Sequence, residues 1–226
     1  MIIQFSWIVY MLTSEDQGFK FTYLPKHHFN FRNIAISIIT DCIRGPLTME
    51  IEDISDLYAY NDWANERVRT SIGVLTQEAY ERELSASFGS VKGTVVHLVS
   101  AQWAWLKRWK GQLPQQPLSE ELFESPELAN CRWAEVDQDL ANYVAALDGQ
   151  ELQQTITYTR LKGKSISNLL WQAMLHVVNH SSYHRGQIAS LLRQVQSTPQ
   201  STDLIRYYYE KDKSMLSSPK GLKGLK

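Results

Sequence analysis

Cysteine is scarce in this chain. The 226 residues include only two, Cys42 and Cys131, and these fit no CxxC pattern. Small secreted domains that depend on disulfides are rich in cysteine. A disulfide framework is therefore excluded, and we expect the protein to work in the reducing cytoplasm.

An excess of charge of one sign is missing as well. The 23 Lys and Arg residues nearly balance the 24 Asp and Glu residues, which leaves a net charge of −1. Such a chain has no overall field to attract nucleic acid or an anionic membrane, and no basic stripe interleaved with aromatic residues crosses its central part. We expect neither nucleic acid nor a membrane as a partner.

Long hydrophobic runs are also absent. The apolar start, MIIQFSWIVYMLT, falls well short of the roughly 20 apolar residues that cross a bilayer; no Lys or Arg precedes it and no small-residue cleavage site follows it. The next segment, FKFTYLPKHHFNFR, has no period of 2 or 3.6. We expect residues 1–48 to be an N-terminal extension outside the functional domain, either upstream of a natural start at Met49 or a poorly ordered tail. A signal-like anchor is the alternative.

From Ile51 onward the apolar residues recur at helical spacing. The pattern predicts four long amphipathic helices: IEDISDLYAYNDWANERVRTSIGVL, a second from the N-cap Ser90 to Gly111, a third from about Pro126 or Cys131 to near Gly149, and a fourth from about Ser167 to Gln194. With 43% hydrophobic residues the chain can bury a sizeable core. The prediction is an all-α protein, a four-helix bundle.

Two further segments flank the fourth helix. QQTITYT alternates β-branched or aromatic residues with others, which predicts a short strand or hairpin before that helix. Beyond Pro199, STDLIRYYYEKDK is expected to pack back onto the bundle through Leu204, Ile205 and the tyrosines. Residues 213–226 end in SSPKGLKGLK and are expected to form a disordered basic tail.

Three histidines, His176, His180 and His184, follow one another at four-residue intervals in the predicted fourth helix. They form one stripe, with neighbouring Cβ atoms roughly 5–6 Å apart. The whole stripe rises roughly 12 Å, too far for one ion whose Zn–N bonds measure about 2.0–2.1 Å. One adjacent pair can chelate, either 176/180 or 180/184, and the ion needs another ligand. Since His27 and His28 lie in the N-terminal extension, that ligand is His97 of the second helix.

Three imidazoles from two helices match the ligand count of a catalytic metal site, in which water takes the remaining position. The pKa of that water can fall to about 7, or the open position can bind and deprotonate a thiol. Ligand count does not separate hydrolysis from thiol transfer. The competing interpretation is that the three are core histidines that bind no metal. Each would then need its own hydrogen-bond partner, because a buried polar group left unpaired costs roughly 1–3 kcal/mol.

Other polar and aromatic residues have two interpretations each. Arg185 and Gln187 can orient a ligand or substrate, or simply stabilise the helix. The group Asn61, Asp62 and Asn65 can face the site or water, and the tryptophans Trp103, Trp105 and Trp109 can line a substrate pocket or belong to a core or dimer surface. None of these assigns a catalytic residue.

The segments HVVNHSSYHRGQI, GSVKGTVVHLVSAQWAWLKRW, LYAYNDWANERV and STDLIRYYYE together resemble the DinB family, the DinB/YfiT-like metalloenzymes. The resemblance covers roughly residues 49–212. It implies a four-helix bundle of up-down-down-up course, usually dimeric, that holds a divalent metal through His97, His180 and His184. His176 is left with a packing or supporting role. Characterised members include transferases and isomerases that use small-molecule thiols.

We therefore expect a divalent-metal-dependent enzyme that uses zinc, nickel, iron or manganese. Its three-histidine site would activate water or a low-molecular-weight thiol for hydrolysis or thiol transfer on a small electrophilic substrate, in a homodimer. The alternative is a non-catalytic metal-binding bundle that acts in stress response through assembly. A four-helix interaction module whose histidines never bind metal is a third hypothesis.

Overall fold

The computed structural model describes residues 11–15, 18–22, 49–159, 163 and 165–217. The chain divides into two compact units, Met1–Leu47 and Thr48–Lys226. In the first unit, strand β1 (Met11–Glu15) pairs antiparallel with β2 (Gly18–Thr22), a hairpin that the sequence pattern did not predict. The remaining residues up to 48, with His27 and His28, lie outside the described part of the chain, so the expectations for them stay predictions.

Six helices and a second hairpin make up the described part of the second unit. The helices are α1 (Ile51–Ile72), α2 (Gln77–Glu81), α3 (Val91–Trp109), α4 (Pro126–Ala146), α5 (Leu170–Gln194) and α6 (Leu204–Ser217). In the hairpin, strand β3 (Thr155–Thr159) pairs antiparallel with β4 (Ser165–Leu169). The predicted helical class and the hairpin are confirmed. The short α2 was not predicted, and α5 begins at Leu170 because Ser167 belongs to β4.

Local chemistry explains where the helices begin and end. Ser90 accepts a hydrogen bond from the Gly93 amide at 3.0 Å, and Ser125 accepts one from the Leu128 amide at 3.3 Å, so both act as N-caps. Pro126 occupies the first turn of α4, where its missing N–H costs nothing. Gly111 follows α3 with φ of +71°, a left-handed conformation that suits glycine, and ends the helix as predicted.

The relative directions of the four long helices follow from their contacts. Helices α1 and α5 run the same way, whereas α4 runs against α1 and α3 runs against α5. Between α1 and α5 the contacts are Tyr58 with Met174 and Asn65 with Arg185. Between α1 and α4 they are Asn65 with Asp137 and Arg69 with Asn130. Between α3 and α5 they are His97 with His184 and Trp105 with His176. This is the up-down-down-up course that the family resemblance implied.

The core lies between these four helices. All four contribute large apolar side chains that are less than 2% exposed: Ile54, Ile72, Leu98, Trp133, Leu140, Met174 and Ile188. Leu170 donates its amide to the Gln154 carbonyl at 2.9 Å, which ties the start of α5 to the base of the hairpin. In the described part of the chain, no helix combines the length and apolar character that a bilayer crossing requires.

Helix α6 packs back onto α1, as expected, through one of the expected tyrosines but not through Leu204 and Ile205. Tyr207 is 8% exposed and donates to Asp56 at 2.9 Å, whereas Leu204 and Ile205 are 39% and 78% exposed. The helix also continues to Ser217, so residues 213–217 are helical rather than part of a disordered tail. Downstream of Leu204, the first proline or glycine is Pro219, which explains the longer helix. Residues 218–226 lie outside the described part.

Candidate metal site

Helices α3 and α5 bring His97, His180 and His184 together. The Nε2 atoms of His97 and His180 are 3.4 Å apart, and those of His180 and His184 are 3.0 Å apart. One ligand atom from each residue lies within 4.8 Å of the others. In the described part of the chain, no other set of three His, Cys, Asp or Glu residues meets this criterion. His176 is not a member, so the structure favours the 180/184 pair that spacing alone left open.

The nitrogen separations fit one shared cation. Two ligands at about 2.05 Å from an ion, at a tetrahedral angle, stand about 3.3 Å apart. The measured 3.4 Å and 3.0 Å bracket this value. Because no carboxylate or thiolate of the described residues joins the group, the arrangement offers three protein ligands and leaves another position open.

The protonation of the site suits ligands. Burial lowers the pKa of His97 to about 4, helped by the nearby His184. Burial and the three neighbouring histidines lower the pKa of His180 to about 4 as well, and burial lowers that of His184. At neutral pH the imidazoles are therefore uncharged, as metal binding requires.

Gln187 fixes the ring of His184. The His184 Nδ1 lies 2.7 Å from the Gln187 Oε1, an oxygen that can only accept, so Nδ1 carries the proton and donates. The lone pair is then on Nε2, which faces the other two histidines. Of the two roles that the sequence allowed for Gln187, the structure supports the orienting one.

Phe88 covers the site, and sequence analysis missed it. Its ring stacks on His97 with centroids 4.1 Å apart and meets the edge of His184 at 5.6 Å. The residue lies in the turn before α3, which passes so close that a Cβ on Gly93 would be 2.0 Å from the Phe88 carbonyl oxygen. Gly93, the third residue of α3, was the sequence signal that could have indicated this contact, because a glycine inside a helix often marks a close backbone approach.

A side-chain bond joins the two helices that carry the histidines. Gln102 on α3 is fully buried and donates to the Ser181 hydroxyl on α5 at 3.2 Å. Ser181 directly follows His180 in the chain, so this bond limits sliding of one ligand-bearing helix past the other. Nothing in the sequence pattern distinguished Gln102 from an ordinary helix residue.

Arg185 contacts α1 rather than the histidines. It is 1% exposed and donates to the Oδ1 atoms of Asn61 and Asn65, both at 2.7 Å. Asn65 in turn donates to Asp137 of α4 at 2.8 Å. Of the two interpretations of the Asn61 group, facing the site or facing water, Asp62 fits the second because it is exposed. The two asparagines fit neither, because they pair with this buried guanidinium.

The three tryptophans have different surroundings. Trp109 is 8% exposed and packs on Tyr58 and Tyr143 with centroids 6.2 and 5.6 Å away, so it belongs to the core. Trp105 is half-buried and meets the edge of the His176 ring at 5.2 Å. Trp103 is half-buried as well, 5.9 Å from the Lys107 ammonium. Only Trp105 adjoins the histidine stripe.

Comparison with known proteins agrees with this picture. Residues 49–215 match the DinB family. The chain is 27% identical over 161 residues to protein DinB of Bacillus subtilis strain 168, which covers 68% of this chain and 92% of that protein. The fold resembles the crystal structure of a DinB-like protein from Bacillus cereus ATCC 10987, with a TM-score of 0.53 and 17% identity over 66% of this chain and 95% of that one.

Proposed function

The chain belongs to the DinB family, and from that premise we propose that it is a divalent-metal-dependent enzyme whose metal ligands are His97, His180 and His184. The observation that supports this most directly is the approach of three uncharged imidazoles from two helices, with Nε2 separations of 3.4 and 3.0 Å. The ligand set accepts zinc, nickel, iron or manganese.

A divalent ion at this position would supply Lewis-acid chemistry, which lowers the pKa of a water molecule or of a small-molecule thiol toward neutrality. The residues of the chain have separate tasks around it. His184 is held in one tautomer by Gln187, and Phe88 lies flat on His97 and excludes water from that side. The nucleophile would attack a small electrophilic substrate, by hydrolysis or thiol transfer.

The proposed setting is a cytoplasmic homodimer. Its support is the family resemblance together with large apolar side chains that are exposed in the single chain, among them Tyr183 at 65%, one residue from His184. Light scattering coupled to size-exclusion chromatography would give the mass of the particle. A monomer at micromolar concentration would contradict this part of the proposal.

The function is tested by elemental analysis of protein purified without a histidine tag, followed by turnover assays with a panel of thiols, electrophiles, esters and amides. We expect one divalent ion per chain and activity that His184→Ala abolishes. His176→Ala is the matched control for metal content, because it removes an imidazole of the same stripe outside the ligand group. Tight metal binding without turnover would favour the non-catalytic stress-response bundle, and absence of metal would refute both.

A further inference from the structure

Among the described residues, Arg108 on α3 has no anionic partner. It is half-buried, with its guanidinium 4.9 Å from the Trp105 ring centroid and 6.0 Å from that of Tyr158. Within the described part of the chain, the guanidinium has no hydrogen bond or ion pair. Charged groups that lose water are normally paired. The arrangement therefore leaves its N–H donors available for a ligand.

A continuous series of rings leads from the metal site to this guanidinium. The His180 ring is 5.7 Å from that of His176, which is 5.2 Å from Trp105, and Trp105 is 4.9 Å from Tyr158. We call His176, Trp105, Tyr158 and Arg108 the ring row. His176 is exposed and the other three are half-exposed, so each is accessible in part to a bound molecule.

Helix geometry gives the distance from the metal site to Arg108, the far end of the row. His97, Trp105 and Arg108 lie at positions i, i+8 and i+11 of α3, which fall on one stripe. The rise from His97 to Arg108 is about 16 Å. Ala101, one turn after His97, is the small residue on this stripe, so no bulky α3 side chain separates the metal site from Trp105.

The far end of the row is held in a fixed position. Tyr158 belongs to strand β3, and its hydroxyl donates to Asn168 of β4 at 3.0 Å. Trp105 packs edge-on against the Tyr158 ring, and Arg108 lies over the face of Trp105. A cation–π contact uses none of the N–H donors as hydrogen bonds, and the planar fork of donors matches a carboxylate or phosphate.

We propose that the ring row binds the tail of an extended substrate or thiol that carries a carboxylate or phosphate at its far end. This inference rests on the proposed function, because the row is defined by its distance from the reacting centre. Arg108 selects for the anion, and the rings bind the flat or apolar middle of the molecule. A substrate with a neutral tail would leave the guanidinium unpaired and bind less tightly.

The test uses the full chain loaded with Co²⁺ and a set of thiols that differ at one end. 11-Mercaptoundecanoate, 11-mercaptoundecylphosphonate and 11-mercaptoundecanol have chains about as long as the row, and 3-mercaptopropionate is too short to reach Arg108. Binding of sulfur to cobalt is followed by its charge-transfer absorption, which gives a Kd for each thiol. The carboxylate and phosphonate show which anion Arg108 prefers.

We expect at least one long anion to bind about tenfold more tightly than the long alcohol, which corresponds to about 1.4 kcal/mol. Arg108→Gln should remove this advantage without changing the Kd of the alcohol or of 3-mercaptopropionate. Lys107→Gln, which removes a cation from the neighbouring position, should preserve it.

Equal affinity of the long alcohol and both long anions for the unaltered protein would overturn the inference, whatever the variants do. An advantage that persists in Arg108→Gln would also overturn it. A different failure, in which no thiol produces the cobalt band, would refute thiol transfer and the ring row with it, whereas the hydrolytic form of the proposed function would stand.

Discussion

Replacing Gln187 with alanine should weaken metal binding without removing a ligand. The amide oxygen accepts from His184 Nδ1 at 2.7 Å, at the short end of the range for N–H···O bonds. Without this bond the ring can rotate or move its proton to Nε2, and either change withdraws a lone pair from the site. Metal affinity should therefore fall, although all three proposed ligands remain.

The size of the effect follows from the kind of bond. Partners that orient a ligating histidine typically contribute 10- to 100-fold in affinity. Gln187 is an uncharged acceptor and is only half-buried, so we expect the lower value, about tenfold. Gln187→Glu places a charged acceptor at the same position and should restore or exceed the original affinity, since charge-assisted hydrogen bonds are roughly twice as strong.

The measurement is competition for Zn²⁺ with a chromogenic chelator, which gives a Kd for each variant. Gln194→Ala is the control, because it makes the same change at an exposed position of α5. A Gln187→Ala protein that binds zinc within twofold of the original would refute this account of His184. So would a Gln187→Glu protein that binds more weakly than the alanine variant.

Three further outcomes are expected. Gly93→Ala should lower the Tm and weaken zinc binding, because the added Cβ would be 2.0 Å from the Phe88 carbonyl oxygen. Gly186→Ala adds a Cβ to open space, and it should raise the Tm in thermal melts. Arg185→Leu should destabilise the fold by about 3 kcal/mol or more in urea unfolding, since it leaves two buried amide oxygens unpaired, and a loss below 1 kcal/mol would contradict this. In chelator-stripped protein, His97 and His180 have a pKa of about 4 and bind fewer protons than the unfolded chain between about pH 4 and 6.5. The free energy of unfolding should therefore fall as the pH drops through this window. A Tm that does not change with pH in this range would contradict the prediction.

The long helices could be predicted because their signals are local. The apolar period, the N-cap Ser90 and the terminating Gly111 each act within a few residues, and the structure confirms the helices they mark. Helix α2 has only five residues, too few for a period to show. The β1–β2 hairpin was missed because FKFTYLPKHHFNFR, which contains most of β2, shows no period of 2 over its whole length.

The site was predictable in its ligands but not in its surroundings. Spacing placed His180 and His184 on one stripe, and the family resemblance chose them over His176. Contacts such as those of Phe88 and Gln102 depend on which elements pack together, and no spacing rule contains that information. The same holds for Arg185, whose asparagine partners lie more than 100 residues away in the chain.

The wide separation of the proposed ligands along the chain has a consequence for how the ion would be acquired. His97 precedes His180 by 83 residues, so a growing polypeptide holds a single imidazole of the set until nearly the whole bundle has been synthesised. Capture of the cation would then be among the last events of maturation and would depend on prior docking of α5 against α3. A mutation that merely slows that docking would yield protein deficient in metal while every ligand is intact.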